Sequence, residues 1–231
     1  MGLQPYALRI LPALVVGACV VLAAAIAREM GGTRRAQLLS AVTLASSGYL
    51  AAGHLGVTAV YDLGCWALVL WLVTRLLRGA DPRLWLAVGL VAGVGLQNKH
   101  LVLFLVGGLF VGLVVHRRDL LRSRWPWIAA VIALLIWAPN LAWQAANGFP
   151  QLEMARRIGG GNDENRVMLI PELLLLSGPL LFPVSILGLW RLLRDPGMAP
   201  FRALGRRSSR SWPSCSCPVA RATTWRVRSP H

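Results

Sequence analysis

The chain alternates long apolar segments with short clusters of arginine, and this alternation restricts its fold more than any other feature. A bilayer core about 30 Å thick requires about 20 apolar residues per helix, and somewhat fewer where helices are buried in a bundle. The pattern therefore predicts an all-α, multi-pass bundle of about seven transmembrane helices. They are expected at residues 10–27, 38–53, 63–74 (extending as far as 77), 84–97, 101–115, 125–143 and 167–190.

The composition excludes a soluble or a disordered chain. The sequence is 56% hydrophobic and only 14% charged, whereas a soluble domain carries about 25% charged residues. A net charge of +15 would favour nucleic acid as a partner only if the basic residues shared one exposed face. Because they lie between apolar segments instead, we expect membrane lipid around the chain and no nucleic acid.

Basic residues are distributed unequally between alternate loops, which predicts the topology. Residues 28–37, 75–83, 116–124 and 191–195 together hold twelve arginines and four acids, whereas the other set of loops holds five basic residues and four acids. Basic loops favour the cytoplasm. The bias predicts an external N-terminus and a cytoplasmic end for the seventh helix.

Two segments allow a second interpretation. The first apolar segment resembles a cleavable signal peptide, although its 18 apolar residues exceed the usual stretch of about 7–15 and Arg28 follows directly. The fourth and fifth segments are separated only by Asn98, Lys99 and His100. They are interpreted as two helices that meet in a tight external turn, with one long span as the alternative.

The last 31 residues differ in character from residues 1–200, which we treat as the membrane domain. Residues 201–231 are rich in arginine, serine and proline, contain no acids and show no apolar period. A disordered basic tail and a frame-shifted continuation of a longer gene both explain this composition.

Polar residues near membrane helices are energetically costly and therefore indicate function. Most of them lie on the predicted external side. Lys99, the only lysine of the chain, is a compact cation suited to phosphate or an interfacial lysine that extends to water. His100 can donate a hydrogen bond or relay a proton. Asp62 is placed at the start of the third helix, where it is a site carboxylate or a cap stabilised by the helix dipole. The loop at residues 144–166 is a lid or a plain linker.

Several strings resemble the bacterial family-39-type membrane glycosyltransferases, relatives of the dolichyl-phosphate-mannose protein mannosyltransferases and of the aminoarabinose transferases. The resemblance covers residues 8–204. It is carried by LRILPAL at residues 8–14, LAAGHL at 50–55, GLVAGVGLQNKHLVLFL at 89–105, WAPNLAWQAANGFPQLEMAR at 137–156 and GGGNDENR at 159–166.

The resemblance implies a GT-C fold in the plasma (inner) membrane. It also implies transfer of a sugar from a polyprenyl-phosphate donor on the non-cytoplasmic face. Lys99 with His100 would bind the donor phosphate, and Asp62 would be the catalytic carboxylate, aligning the acceptor or sugar hydroxyls. The acceptor and loop residues would be Asn140, Gln144, Glu153 and Arg156. No cofactor and no metal ligands are predicted.

The family usually has a further helix and an external loop with an Asp-Glu pair ahead of the region that this chain resembles, and more helices after it. We therefore expect the chain to correspond to the middle of such an enzyme. The alternative hypothesis is a catalytically inactive membrane remnant or a small transporter-like protein. No internal repeat of the kind found in transporters is visible.

Overall fold

A computed structural model describes residues 7–48, 57–159, 183–184, 186–188 and 190. This part of the chain is helical and contains no strand, which confirms the predicted all-α class. Its helices are α1 (Ala7–Glu29), α2 (Arg34–Ala45), α3 (Thr58–Leu77), α4 (Leu84–Asn98), α5 (Val102–His116), α6 (Arg118–Leu121), α7 (Trp125–Ala146) and α8 (Pro150–Gly159).

The long helices have the length and the surface of membrane-embedded segments. Within the described ranges, α1, α3 and α7 are long and apolar enough to cross a bilayer, and α4 and α5 are shorter apolar helices. Large apolar side chains face outward, for example Phe104 and Leu135, which are 75% and 68% exposed. Lipid is the environment in which such a surface is stable. The fold is an all-α membrane bundle.

Short connections make neighbouring helices antiparallel, so that the helix ends gather at two opposite ends of the bundle. At one end, which we call the polar end, the amide of Asn98 at the end of α4 donates to the carbonyl oxygen of Thr58 at the start of α3, over 2.9 Å. At the other, the arginine end, Arg78 forms an ion pair with Glu29 over 2.8 Å. Helix α5 begins at the polar end and finishes at the arginine end, and α7 runs in the opposite direction.

The centre of the bundle is α4, which packs against α3 and most extensively against α7. Its contact with α7 depends on two glycines spaced four residues apart. A Cβ atom at Gly89 would lie 2.7 Å from Cα of Ala129, and one at Gly93 would lie 2.8 Å from Cβ of Ile136. Glycines at this spacing let two membrane helices approach closely, since tight packing replaces the hydrophobic driving force in lipid. Glycine residues therefore mediate the close packing of α4.

The N-terminal helices cover the other side of α3. Helix α1 packs on both α2 and α3, and a Cβ atom at Gly64 of α3 would lie 2.8 Å from Val15 of α1. The hydroxyl of Ser40 on α2 donates to the carbonyl oxygen of Ala23, over 3.3 Å. These contacts place α3 between α1 and α4.

The structure corrects two predicted boundaries. The second helix was expected to reach residue 53, but α2 ends at Ala45. The hydroxyls of Ser46 and Ser47 donate to the carbonyl oxygens of Thr43 and Leu44, and such bonds compete with continuation of a helix. The third helix begins at Thr58 and not at residue 63.

Other predictions have mixed outcomes. The tight turn between the fourth and fifth segments is confirmed, because α4 ends at Asn98 and α5 begins at Val102. The single long span is therefore wrong. Most of the predicted seventh helix, the tail from residue 201 and residues 160–166 of the predicted lid lie outside the described residues.

Candidate functional site

Four helix ends meet at the polar end: the starts of α3 and α5 and the ends of α4 and α7. Polar side chains come from α3, from the turn that joins α4 to α5, and from α7. Asp62 comes from α3, Lys99 and His100 from the turn after α4, and Asn140 and Gln144 from α7. We call these five residues the polar cluster.

Asp62 lies in the second turn of α3 and is buried, with 7% of its surface exposed. The predicted capping role is wrong, because the helix begins four residues before Asp62. Among the described residues, its Oδ1 atom has no hydrogen-bond partner, and neither has the indole N–H of Trp66 one turn later. That N–H is near enough to interact with the carboxylate but does not reach hydrogen-bond geometry. A buried acceptor without a donor is costly, so Asp62 is available to bind a ligand.

Lys99 supplies the positive charge that faces Asp62. It is the C-cap residue of α4, in extended conformation, and its backbone N–H donates to the carbonyl oxygen of Gly95 over 2.8 Å. Its ammonium group interacts electrostatically with Asp62, but no acid of the described chain lies within the 4.0 Å of a salt bridge to it. A half-exposed lysine that makes no salt bridge within the described chain can accept an anion.

His100 is held by two residues of α7. The Nε2 atom of the buried Gln144 lies 3.0 Å from Nε2 of His100 and donates to Oδ1 of Asn140 over 2.9 Å. The rings of His100 and Trp137 pack edge to face with their centroids 5.5 Å apart. An amide nitrogen is a donor, so the contact with His100 needs a lone pair on its Nε2, which the tautomer protonated on Nδ1 supplies.

Residues that the sequence did not single out fix the turn around Lys99. The side-chain amide of Gln97 donates to the carbonyl oxygen of Ile136 on α7, and Asn98 binds the start of α3 as described above. The turn is thereby attached to helices on both sides. A glutamine at the end of an apolar helix, directly before Asn-Lys-His, is the one sequence signal that could have identified this role.

Glu153 and Arg156, the predicted loop residues, are not brought to the polar cluster. Both lie on α8 with exposed side chains. Glu153 forms an ion pair with Arg157, four residues later on the same helix, over 2.5 Å. Such a pair stabilises a single turn and requires no tertiary contact. Their assignment to the acceptor stays a prediction.

No group of three potential metal-ligating side chains occurs in the part of the chain that the structure describes. The chemistry available at the polar cluster is therefore that of one carboxylate, one ammonium group, one imidazole and two amides. A carboxylate can accept a proton or align hydroxyl groups, and the ammonium group can bind phosphate.

Comparison with known families identifies the family of the chain. The sequence model of the dolichyl-phosphate-mannose-protein mannosyltransferases matches residues 2–143, which include Asp62, Lys99, His100 and Asn140. The chain belongs to this family. Its members are membrane glycosyltransferases of the GT-C type, which confirms the resemblance found in the sequence. No curated protein and no solved structure shows significant similarity to the chain.

Proposed function

We propose that the polar cluster transfers a sugar from a polyprenyl-phosphate donor to an acceptor on the non-cytoplasmic face of the plasma membrane. The observation that carries the proposal is the pair formed by Asp62 and Lys99. A buried carboxylate oxygen with no hydrogen-bond donor among the described residues interacts electrostatically with a lysine that makes no salt bridge to a described acid. The family description names a lipid-linked phosphate sugar as donor, and this pair has the charges that such a reaction needs.

The two residues have opposite tasks in the reaction. Lys99, with His100 beside it, binds the phosphate of the donor, because an anion withdrawn to the membrane surface needs a cation. Asp62 accepts the proton of the attacking acceptor hydroxyl. The acceptor oxygen forms a bond to the anomeric carbon, and the bond from that carbon to the phosphate oxygen breaks. Polyprenyl phosphate leaves with the bonding electrons.

The orientation rests on the charge of the loops. Ten of the twelve arginines of the predicted cytoplasmic set lie in the described loops at the arginine end, and the positive-inside rule therefore supports an external polar end. Gln144, Asn140 and Asn98 hold the turn that carries Lys99 and His100.

The experiment compares two donors in membranes that contain the protein. We expect label from radioactive dolichyl-phosphate-mannose to be transferred, and label from a nucleotide-linked mannose not to be used directly. The Asp81→Asn variant is the matched control for replacement of Asp62, since Asp81 is an exposed acid at the arginine end. Its membranes should use the donors as the wild type does. Preference for the nucleotide donor, or no transfer above membranes without the protein, would contradict the proposal.

A further inference from the structure

A second candidate site begins at the arginine end and extends into the middle of the bundle. A cavity of about 130 Å³ lies between α3, α4, α5 and α7, and its walls are almost wholly apolar. They include Val73, Trp85, Gly89, Leu113, Trp127 and Ala133. Apolar cavities of about 150 Å³ stay dry and bind hydrocarbon. The cavity therefore suits a segment of an acyl chain.

The cavity reaches the exposed surface of the bundle between α5 and α7, and we call it the acyl groove. Phe110 of α5 and Trp127 of α7, which are 45% and 56% exposed, form part of its outer wall, where their rings pack edge to face with centroids 6.4 Å apart. The indole N–H of Trp127 donates to the carbonyl oxygen of Leu121 over 3.0 Å. This bond attaches α6 to the groove at the arginine end.

Next to α6 lies a larger cavity of about 310 Å³ with mixed polar and apolar walls, which we call the polar cavity, formed by Val115, His116, Arg118, Asp119 and Arg122. Leu121 lines the acyl groove and Arg122, the next residue, lines this cavity, so the two spaces border the same end of α6. Nε of Arg118 donates to the carbonyl oxygen of Val114 over 2.6 Å, which leaves its two terminal amino groups for a ligand.

Positive charge exceeds negative charge around the polar cavity. Four arginines occur within residues 117–124, against Asp119 alone. Arg117 already binds that acid, with contacts of 3.1 to 3.2 Å. Arg118 and Arg122 make no ion pair with an acid of the described chain, so their charge can attract an anion. Basic pockets between membrane helices on the cytoplasmic side bind anionic lipid head groups.

We propose that the acyl groove and the polar cavity together bind one anionic phospholipid of the leaflet at the arginine end. One acyl chain occupies the groove, and Arg118 and Arg122 bind the head-group phosphate. The phosphate of this lipid is separate from that of the sugar donor, because the 15 residues of α5 place the polar cavity and the polar cluster about 22 Å apart along the bundle at 1.5 Å per residue. The lipid completes the packing of α5 against α7.

The test measures lipid binding to the purified, delipidated protein by native mass spectrometry. Phosphatidylglycerol and phosphatidylcholine with identical acyl chains are titrated separately. We expect phosphatidylglycerol to bind more tightly, and Arg118→Gln with Arg122→Gln to weaken its binding about 30-fold, or about 5-fold for each charge removed. Inorganic phosphate should not displace the lipid, because it lacks the acyl chain.

Matched controls separate this site from general effects of charge and volume. Arg34→Gln with Arg35→Gln removes two exposed arginines that also lie at the arginine end. This double variant should leave lipid binding within about 2-fold of the wild type. Ala130→Phe places a ring in the groove and should weaken both lipids. Val131→Phe, on the exposed neighbouring residue, should not. Thermal unfolding of every variant checks that it is folded.

Three results would overturn the proposal. Equal affinity of the wild type for both lipids would exclude recognition of the anionic head group. An equal loss in the Arg34 and Arg35 control would show that the arginines act only through the overall charge. Normal lipid binding by Ala130→Phe would show that the groove holds no acyl chain, for example because another segment of this chain occupies it.

Discussion

Gln144 joins the end of α7 to the turn between α4 and α5 by the 3.0 Å contact of its amide nitrogen with His100. The two residues are 44 positions apart in the sequence. Because Gln144 is buried and also donates to Asn140, it fixes the imidazole relative to α7. The position of His100, and with it that of the neighbouring Lys99, depends on this amide.

Replacement of Gln144 by leucine should therefore lower the rate of sugar transfer by more than the loss of folded protein accounts for. The variant loses both hydrogen bonds and leaves Oδ1 of Asn140 without this donor, at a cost of about 1–3 kcal/mol in the free energy of unfolding. We expect transfer to fall at least about 10-fold, because a misplaced catalytic group loses its effective concentration. Ala145→Leu, at the exposed neighbouring position, is the control. Equal transfer by the two variants would show that Gln144 has no positioning role.

Replacement of Asp62 by asparagine should abolish transfer without unfolding the protein. Loss of a general base lowers the rate about 10²- to 10⁴-fold. The buried carboxylate oxygen has no hydrogen-bond donor within the described chain, so removal of its charge should leave the thermal unfolding temperature unchanged or raise it. Transfer rate and unfolding temperature are measured on the same preparation. A rate within a few-fold of the wild type would remove Asp62 from the chemistry.

The two glycine positions in α4 and α5 should respond in opposite ways to alanine. A Cβ at Gly89 would overlap the backbone of Ala129, and overpacking of this kind costs about 1–3 kcal/mol. Gly107 of α5 has no atom of the described chain within 4 Å of the added Cβ. There alanine should stabilise the helix by about 0.5–1 kcal/mol. Unfolding in mixed micelles measures both, and destabilisation by Gly107→Ala equal to that by Gly89→Ala would contradict the packing described here.

Much of the fold could be predicted because lipid imposes simple rules on length and composition. Apolar runs predicted α1, α4, α5 and α7 to within a few residues, since a membrane helix has to satisfy its backbone internally. The end of α2 at Ala45 was not predicted, because the serine hydroxyls that end it are not visible in the hydropathy. The start of α3 at Thr58 was not predicted either, because its first turn contains polar residues ahead of Leu63. Hydropathy alone does not reveal either effect.

The polar cluster could be predicted only in part. Lys99 and His100 stand out in the sequence as the break between two apolar segments. Their neighbours are determined by which helices pack together, and the contacts of Gln144 with His100 and of Gln97 with Ile136 span 44 and 39 residues. Glu153 and Arg156 were grouped with the site because they share a loop with Gln144, but the ion pair of Glu153 is local to α8.

The proposed topology can be tested by labelling with a membrane-impermeant thiol reagent. Single cysteines at Thr33 and Asn147 are placed in a variant from which the four native cysteines have been removed. Thr33 caps α2 at the arginine end, and Asn147 follows α7 at the polar end. By the positive-inside rule, the reagent should reach position 147 in intact cells and position 33 only after permeabilisation. The reverse pattern would place the polar cluster in the cytoplasm.

The central claim is that the polar cluster binds the phosphate of a lipid-linked donor, and Lys99 tests it most directly. Lys99 is half-exposed and makes no salt bridge to a described residue, so Lys99→Ala should cost the fold little. Loss of one charge-assisted hydrogen bond to phosphate costs about 1.5–3 kcal/mol, which corresponds to about 10- to 150-fold in donor affinity.

The decisive measurement is a titration of the polyprenyl-phosphate sugar donor in membranes matched for protein level. Lys99→Ala should need about 10- to 150-fold more donor for half-maximal transfer. Lys99→Arg should recover part of this loss, because a planar guanidinium keeps the charge but not the shape of an ammonium group. Arg34→Ala, at the arginine end, should titrate like the wild type. An unchanged donor requirement in Lys99→Ala would contradict the account and leave Lys99 as an interfacial anchor.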